Sequence, residues 1–185
     1  MIAAMATWIL KLFGWRVEVV PPPGPKGIIV VYPHTSNWDF PVGYLTRLVM
    51  AIPIAFVGKD TLFRWPMGVL LRRMGGIPAN RRERTGLIGQ LLAEYRRRDW
   101  MWLAIAPEGT RSHVSHWKSG FYRLALEADV PVGLAFIDYR TRTVGLREYV
   151  RMTGDRAADM ARIRAAYAGM VGLRPERAGE IQLEP

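Results

Sequence analysis

The chain contains no cysteine. That absence excludes disulfides, thiolate metal sites and a cysteine nucleophile together, and with them any chemistry routed through a thioester on the protein. A run long enough to cross a bilayer is missing as well. A spanning helix needs about 20 apolar residues, and every window of that length is broken by a charge, a proline or a glycine. The closest approach, residues 48–57, contains Pro53. The N-terminal segment 1–13 is apolar but short, has no basic n-region and carries Lys11 where a cleavage site would follow, so it is not expected to be a signal peptide. Internal repeats are absent, and low-complexity sequence is confined to the proline cluster at 21–25.

Carboxylates are also in short supply. Against 26 Lys and Arg stand 16 Asp and Glu, for a formal charge of +10. Such an excess attracts anionic partners, whether phospholipid surfaces, nucleic acid, coenzyme phosphates or an acidic carrier protein. A basic nucleic-acid-binding domain would fit the charge and the seven tryptophans, but no recognised nucleic-acid motif accompanies them, and nucleic acid is not the expected partner. Half of the 185 residues are hydrophobic, enough to bury the core of one domain.

What is present alternates. Apolar, β-branched runs at 28–32, 54–57, 102–106 and 132–137 read as strands buried on both faces. Helical stretches near 40–51, 66–74, 83–98 and 119–128 separate them, and the pattern predicts an α/β single domain, a mostly parallel central sheet with helices on both faces. Residues 142–147 suit an added edge strand, and 155–169 a terminal helix with Met160, Ile163 and Tyr167 on one face. In residues 1–14, Met5, Trp8, Ile9, Leu12 and Phe13 recur at helical spacing, a stripe suited either to a bilayer interface or to the domain's own core.

Ligands of such sheets bind beyond the carboxyl ends of the strands, and two polar segments fall there. Pro33-His34-Thr35-Ser36-Asn37-Trp38-Asp39 follows the strand at 28–32. An imidazole can take a proton from a hydroxyl while a carboxylate fixes its tautomer. On one continuous helix the two side chains would diverge by about 140°, so the pairing requires a turn between them; the same spacing also fits a helix-capping pair. Pro107-Glu108-Gly109-Thr110-Arg111-Ser112 follows the strand at 102–106. An arginine fork, a hydroxyl and a glycine suit a phosphate monoester, and Glu108 suits orienting Arg111 or binding a substrate hydroxyl; a plain polar turn would read alike. A third segment, from Gly58-Lys59 to Gly75-Gly76-Ile77-Pro78 and Arg81, supplies Lys59 and Arg81 as further cations.

In this order, these segments resemble the glycerophospholipid acyltransferase family typified by 1-acylglycerol-3-phosphate (lysophosphatidic acid) acyltransferase. His34 and Asp39 match its His-x-x-x-x-Asp motif, the Lys59–Arg81 segment its second block, Pro107 to Ser112 its third and Val130-Pro131-Val132 its last. The resemblance spans roughly residues 28–140 and implies a glycerol-3-phosphate acyltransferase-like fold, with residues 26–185 as the acyltransferase domain behind an N-terminal apolar helix, short strand and proline-rich linker at 1–25. It further implies O-acyl transfer from acyl-carrier protein or acyl-CoA to a lysophospholipid hydroxyl, with His34 as base, Asp39 orienting it, and Lys59, Arg81, Glu108, Gly109, Thr110 and Arg111 binding substrate. Another lysolipid, a glycolipid or an amino-acid lipid would take the same chemistry. No bound cofactor is implied, and the expected setting is the cytoplasmic face of the inner membrane, an anionic surface held peripherally. Departures from the pattern are Pro33 where Asn commonly precedes the histidine, Ala106 for a usual Phe, and a missing second proline after Val132. His113 and His116 lack carboxylate or cysteine company for a metal site, and Ser112, Ser115 and Ser119 lack the Gly-x-Ser-x-Gly elbow of a serine nucleophile.

Overall fold

The computed structural model describes residues 1–79 and 84–185. Its centre is a seven-stranded sheet built from β1 (Arg16–Val19), β2 (Lys26–Tyr32), β3 (Ile54–Lys59), β4 (Gly76–Ala79), β5 (Met101–Ile105), β6 (Val132–Asp138) and β7 (Thr143–Val150), in the order β1-β7-β6-β2-β5-β3-β4. Strands β6, β2, β5, β3 and β4 run parallel, while β7 is antiparallel to β6 and carries β1 parallel on its far side. The buried apolar runs are therefore the inner strands, as their two-sided hydrophobicity requires.

Among the described residues six α-helices cover the sheet: α1 (Ile2–Leu12), α2 (Asp39–Met50), α3 (Met67–Arg73), α4 (Arg84–Arg97), α5 (Gly120–Ala128) and α6 (Arg156–Ala166). Alternate residues of β2 show how the faces divide. Ile28, Val30 and Tyr32 pack with Leu91 and Tyr95 of α4, Phe121 and Leu124 of α5, and Met160 and Ile163 of α6. On the opposite face, Val31 meets Leu10 of α1 and Val42, Leu45 and Val49 of α2, while Ile29 packs with Ile54, Trp102 and Met50. Helix α3 lies on this second side, where Arg47 of α2 donates to the Met74 carbonyl at 2.6 Å.

Two sequence expectations change. The strand expected at 142–147 as an edge is longer and internal, because β1 pairs along it from Arg16↔Thr143 to Val19↔Leu146. The step after Gly75-Gly76 is itself a strand, β4, which accommodates Pro78 by lying at the sheet edge. Helix α1 docks through Ala6 and Leu10, so the apolar stripe Met5, Trp8, Leu12 and Phe13 stays exposed. Beyond α6 the chain returns across the carboxyl ends of β6, β2 and β5 as a strap, residues 171–184, with one short 3₁₀ turn at Pro175–Arg177. No helix among the described residues is long and apolar enough to cross a membrane.

Candidate active site

Strand β2 ends at Tyr32, and the chain turns before α2 begins. Ser36 Oγ accepts from the Trp38 amide at 3.2 Å, and the Ser36 carbonyl accepts from the Asp39 amide at 3.3 Å. This turn returns Asp39, the first residue of α2, towards His34, with its carboxylate at the helix end that favours negative charge. Asp39 Oδ2 stands 3.1 Å from His34 Nδ1 and accepts from the Ser36 amide at 2.9 Å. Its other oxygen accepts from the Tyr139 hydroxyl at 2.9 Å. The carboxylate is 1% exposed and the imidazole 17%. Nδ1 is buried without a well-aligned hydrogen bond although Asp39 is within reach, a looseness common in catalytic pairs before substrate binds. With Nδ1 turned to Asp39, Nε2 is the nitrogen left to act as base.

Glu108 does not occupy the place expected of it. It neither orients Arg111 nor offers a substrate an open carboxylate: it is buried, Oε2 accepts from the His34 amide at 2.8 Å, and Oε1 accepts from the Gly179 amide at 2.7 Å. Burial pushes its pKa up, against the two amides that favour the charged form. Glu108 thus clamps the backbone of the base to the strap. Gly109 follows in a left-handed turn, φ +68°, its amide closing on the Ala106 carbonyl at 3.0 Å. That amide is spent, so it is no oxyanion donor. Thr110 Oγ1 accepts from the Ser112 amide at 3.3 Å.

His34, Asp39, Lys59, Gly109, Thr110 and Arg111 line a single groove of about 1380 Å³. Its walls include Ile29, Val31, Met50, Ile54, Phe56 and Leu62, so an apolar trough meets a cationic end. Arg81 lies outside the described residues. Sequence reasoning missed Tyr139, Arg174 and Arg177: Tyr139 reaches Asp39 from the end of β6, and the two arginines line the groove from the strap. His113 Nδ1 is 3.0 Å from the Ala178 carbonyl and His116 Nδ1 is 2.9 Å from Ser115 Oγ. Among the described residues no cluster of metal-ligating side chains occurs. The arrangement can take a proton from a hydroxyl at the junction of an apolar trough and a cationic pocket.

The sequence model of a family described as Acyltransferase matches residues 16–133. Among solved structures, the fold resembles that of the 1-acyl-sn-glycerophosphate (LPA) acyltransferase PlsC from Thermotoga maritima, with a TM-score of 0.58 at 20% identity over 89% of this chain and 74% of that one. No curated protein matches the chain.

Proposed function

The chain belongs to the acyltransferase family, and from that premise we propose that it moves a fatty acyl group from acyl-carrier protein or acyl-CoA to the free hydroxyl of a lysophospholipid, turning 1-acylglycerol-3-phosphate into phosphatidate. The observation that carries the reading is the His34–Asp39 pair, 3.1 Å apart, at the head of a groove with apolar walls and cations at its end. An amphiphile with a phosphate next to a hydroxyl matches both parts. The structural likeness to a 1-acyl-sn-glycerophosphate acyltransferase supports the same reading.

His34 Nε2 takes the hydroxyl proton while Asp39 stabilises the imidazolium that forms. The alkoxide oxygen bonds to the thioester carbonyl carbon, and collapse of the tetrahedral adduct breaks the carbon–sulfur bond. The departing thiolate receives the proton held by His34, leaving an ester and a free thiol. With no cysteine in the chain, direct transfer between the two substrates is the economical route. Arg111 and Lys59 hold the acceptor phosphate, with Arg81 assigned to the same task by the family resemblance. The reaction takes place at an anionic bilayer, the cytoplasmic face of the inner membrane, to which the exposed apolar residues of α1 attach the protein peripherally.

The test is transfer of labelled acyl groups by the purified chain from either thioester donor to a panel of lysolipids. Lysophosphatidate is expected to be acylated, and His34→Ala to lower the rate by about 10²–10⁴. Acylation of a different lysolipid instead would reassign the acceptor. A chain that acylates none of them, or a His34→Ala variant as fast as the parent, defeats the reading.

A further inference from the structure

The strap is tied down along its whole course. The Val171 carbonyl accepts from the Tyr139 amide at 2.8 Å. Gly172 lies so close to Thr35 that a Cβ there would sit 2.6 Å from Thr35 Oγ1, and that same hydroxyl accepts from the Arg174 amide at 3.2 Å. Farther on, the Gly179 amide donates to Glu108, the Tyr32 hydroxyl donates to the Gly179 carbonyl at 3.2 Å, and the Trp117 amide donates to the Gln182 carbonyl at 2.6 Å. Arg174 is thereby anchored beside the residue that follows His34, and Arg177 between that anchor and Glu108.

Their backbones are held but their guanidinium groups are not. Arg47 of the groove and Arg164 beside the strap are engaged, with the Met74 carbonyl and the Ile181 carbonyl. Among the described residues the side chain of Arg174 has no hydrogen-bond or ion-pair partner. Arg177 has only its neighbour Glu176, at 3.8 Å with both side chains solvated, a contact worth little in water. Carboxylates elsewhere on the strap are occupied, Glu180 by the Gln182 amide at 2.8 Å and Glu184 by Ser119. Two arginines with anchored backbones and guanidinium groups free to turn line the groove, an arrangement that suits an anion.

We propose that Arg174 and Arg177 form a second anion subsite of the groove, which takes a phosphate group of one of the two substrates. The identity of the ligand rests on the acyl-transfer reading; the site rests on the geometry of the strap, which lies beyond the residues matched to the family. That reaction brings two phosphate-bearing molecules together at His34, the acceptor and the phosphopantetheine arm shared by acyl-carrier protein and acyl-CoA. Like charges repel, so the two phosphates require separate cations. Lys59 and Arg111 approach from the ends of β3 and β5, and the strap adds Arg174 from over the end of β2.

The experiment is calorimetric binding to the full chain of two probes, 4′-phosphopantetheine and lysophosphatidate below its micelle concentration, beside pantetheine and monoacylglycerol as phosphate-free counterparts. The double variant Arg174→Gln, Arg177→Gln is expected to weaken one phosphorylated probe by about ten-fold or more, the scale of charge-assisted hydrogen bonds, and to leave both counterparts unchanged. Loss with phosphopantetheine assigns the subsite to the donor, and loss with lysophosphatidate to the acceptor. Arg151→Gln, which removes a charge paired with Asp129 at the opposite end of the sheet, should alter neither. Two phosphorylated probes that bind the double variant as tightly as the parent overturn the proposal, as does a parent that binds neither. Because the readout is binding, it stands apart from the acylation assay: a chain that acylates nothing but loses phosphate affinity on this substitution would retain the subsite and lose the reaction.

Discussion

Asp39 is held from three directions, by the Ser36 amide, the His34 ring and the Tyr139 hydroxyl. Tyr139 is braced edge-on by Trp15, with ring centroids 5.0 Å apart, so its hydroxyl can do little but point at the carboxylate. Burial, then the Asp39 charge, pushes its pKa up, which keeps it a donor throughout the ordinary pH range. Tyr139→Phe preserves the ring and removes the donor. A hydrogen bond to a charged group contributes about 1.5–3 kcal/mol, so kcat/KM should fall about ten-fold or more. A Tyr139→Phe variant with the kcat/KM of the parent removes Tyr139 from the account. Glu108 carries a different pH signature. Its folded pKa is raised, so its contribution to stability is fully present below the ordinary carboxyl range and is lost as pH rises through the folded value. Glu108→Gln should melt lower, because an amide N–H would face a backbone donor, but should lack that decline, as thermal scans across pH would record. The pairing of His34 with Asp39 was legible only through the family resemblance, since their spacing by itself also fits a helix-capping pair. Tyr139 was not, because it arrives 100 residues later through strand order alone.

Helix α6 shows how an element far from the chemistry supports it. Asp155 caps its start, accepting from the amides of Ala157 and Ala158 at 3.0 and 3.1 Å. Just past its end, Tyr167 donates to the Val30 carbonyl at 2.7 Å, locking the helix against β2 two residues before that strand ends. Asp155→Ala should therefore cost about 1 kcal/mol in urea unfolding while leaving kcat near that of the parent, since no groove residue moves; a large loss of activity would place α6 closer to the chemistry. Elements with a long apolar period, such as β2, β6 and α5, could be read from the chain because burial on both faces or on one stripe dictates their composition. The edges were legible only in part. A short strand was expected within 1–25, but nothing in four residues of alternating exposure, Glu18 among them, says that β1 pairs with β7 and turns it from an edge into an inner strand. Strand β4 is four residues with a proline among them, too short and too interrupted for a strand pattern. The strap has no period at all, being held by side-chain and backbone bonds to residues more than 50 positions away.

At the scale of the whole molecule the two faces of the sheet are unequal. Apart from Val20, Trp100, Leu126 and Leu173, the large apolar side chains found exposed among the described residues belong to α1, α2 and α3, to the residues that flank α1 and α2, and to the segment just before α3. They include Trp8 at 64% and Trp65 at 86%. Exposed Lys11, Lys59, Arg64, Arg72 and Arg73 share this layer with Asp60 as an exposed carboxylate. The opposite layer instead shows ion pairs, Glu94 with Arg97 and Arg98, and Arg123 with Glu127. An apolar surface rimmed by cations fits an anionic bilayer, where each basic residue near the surface contributes about 1 kcal/mol, and Trp side chains favour the interface. The groove opens on this layer, since Trp38, Phe40 and Leu62 are both exposed and part of its wall, so a lysolipid could pass from bilayer to His34 without crossing water. Trp8→Ser with Trp65→Ser should weaken flotation with phosphatidylglycerol vesicles and slow acylation of vesicle-borne acceptor. Acylation of acceptor dissolved below its micelle concentration, and the unfolding temperature, should not change, because neither side chain is packed. Raised salt should weaken the parent's binding to anionic vesicles but not to neutral ones. A double variant that floats like the parent would move the contact away from this layer, whatever the acyl chemistry proves to be.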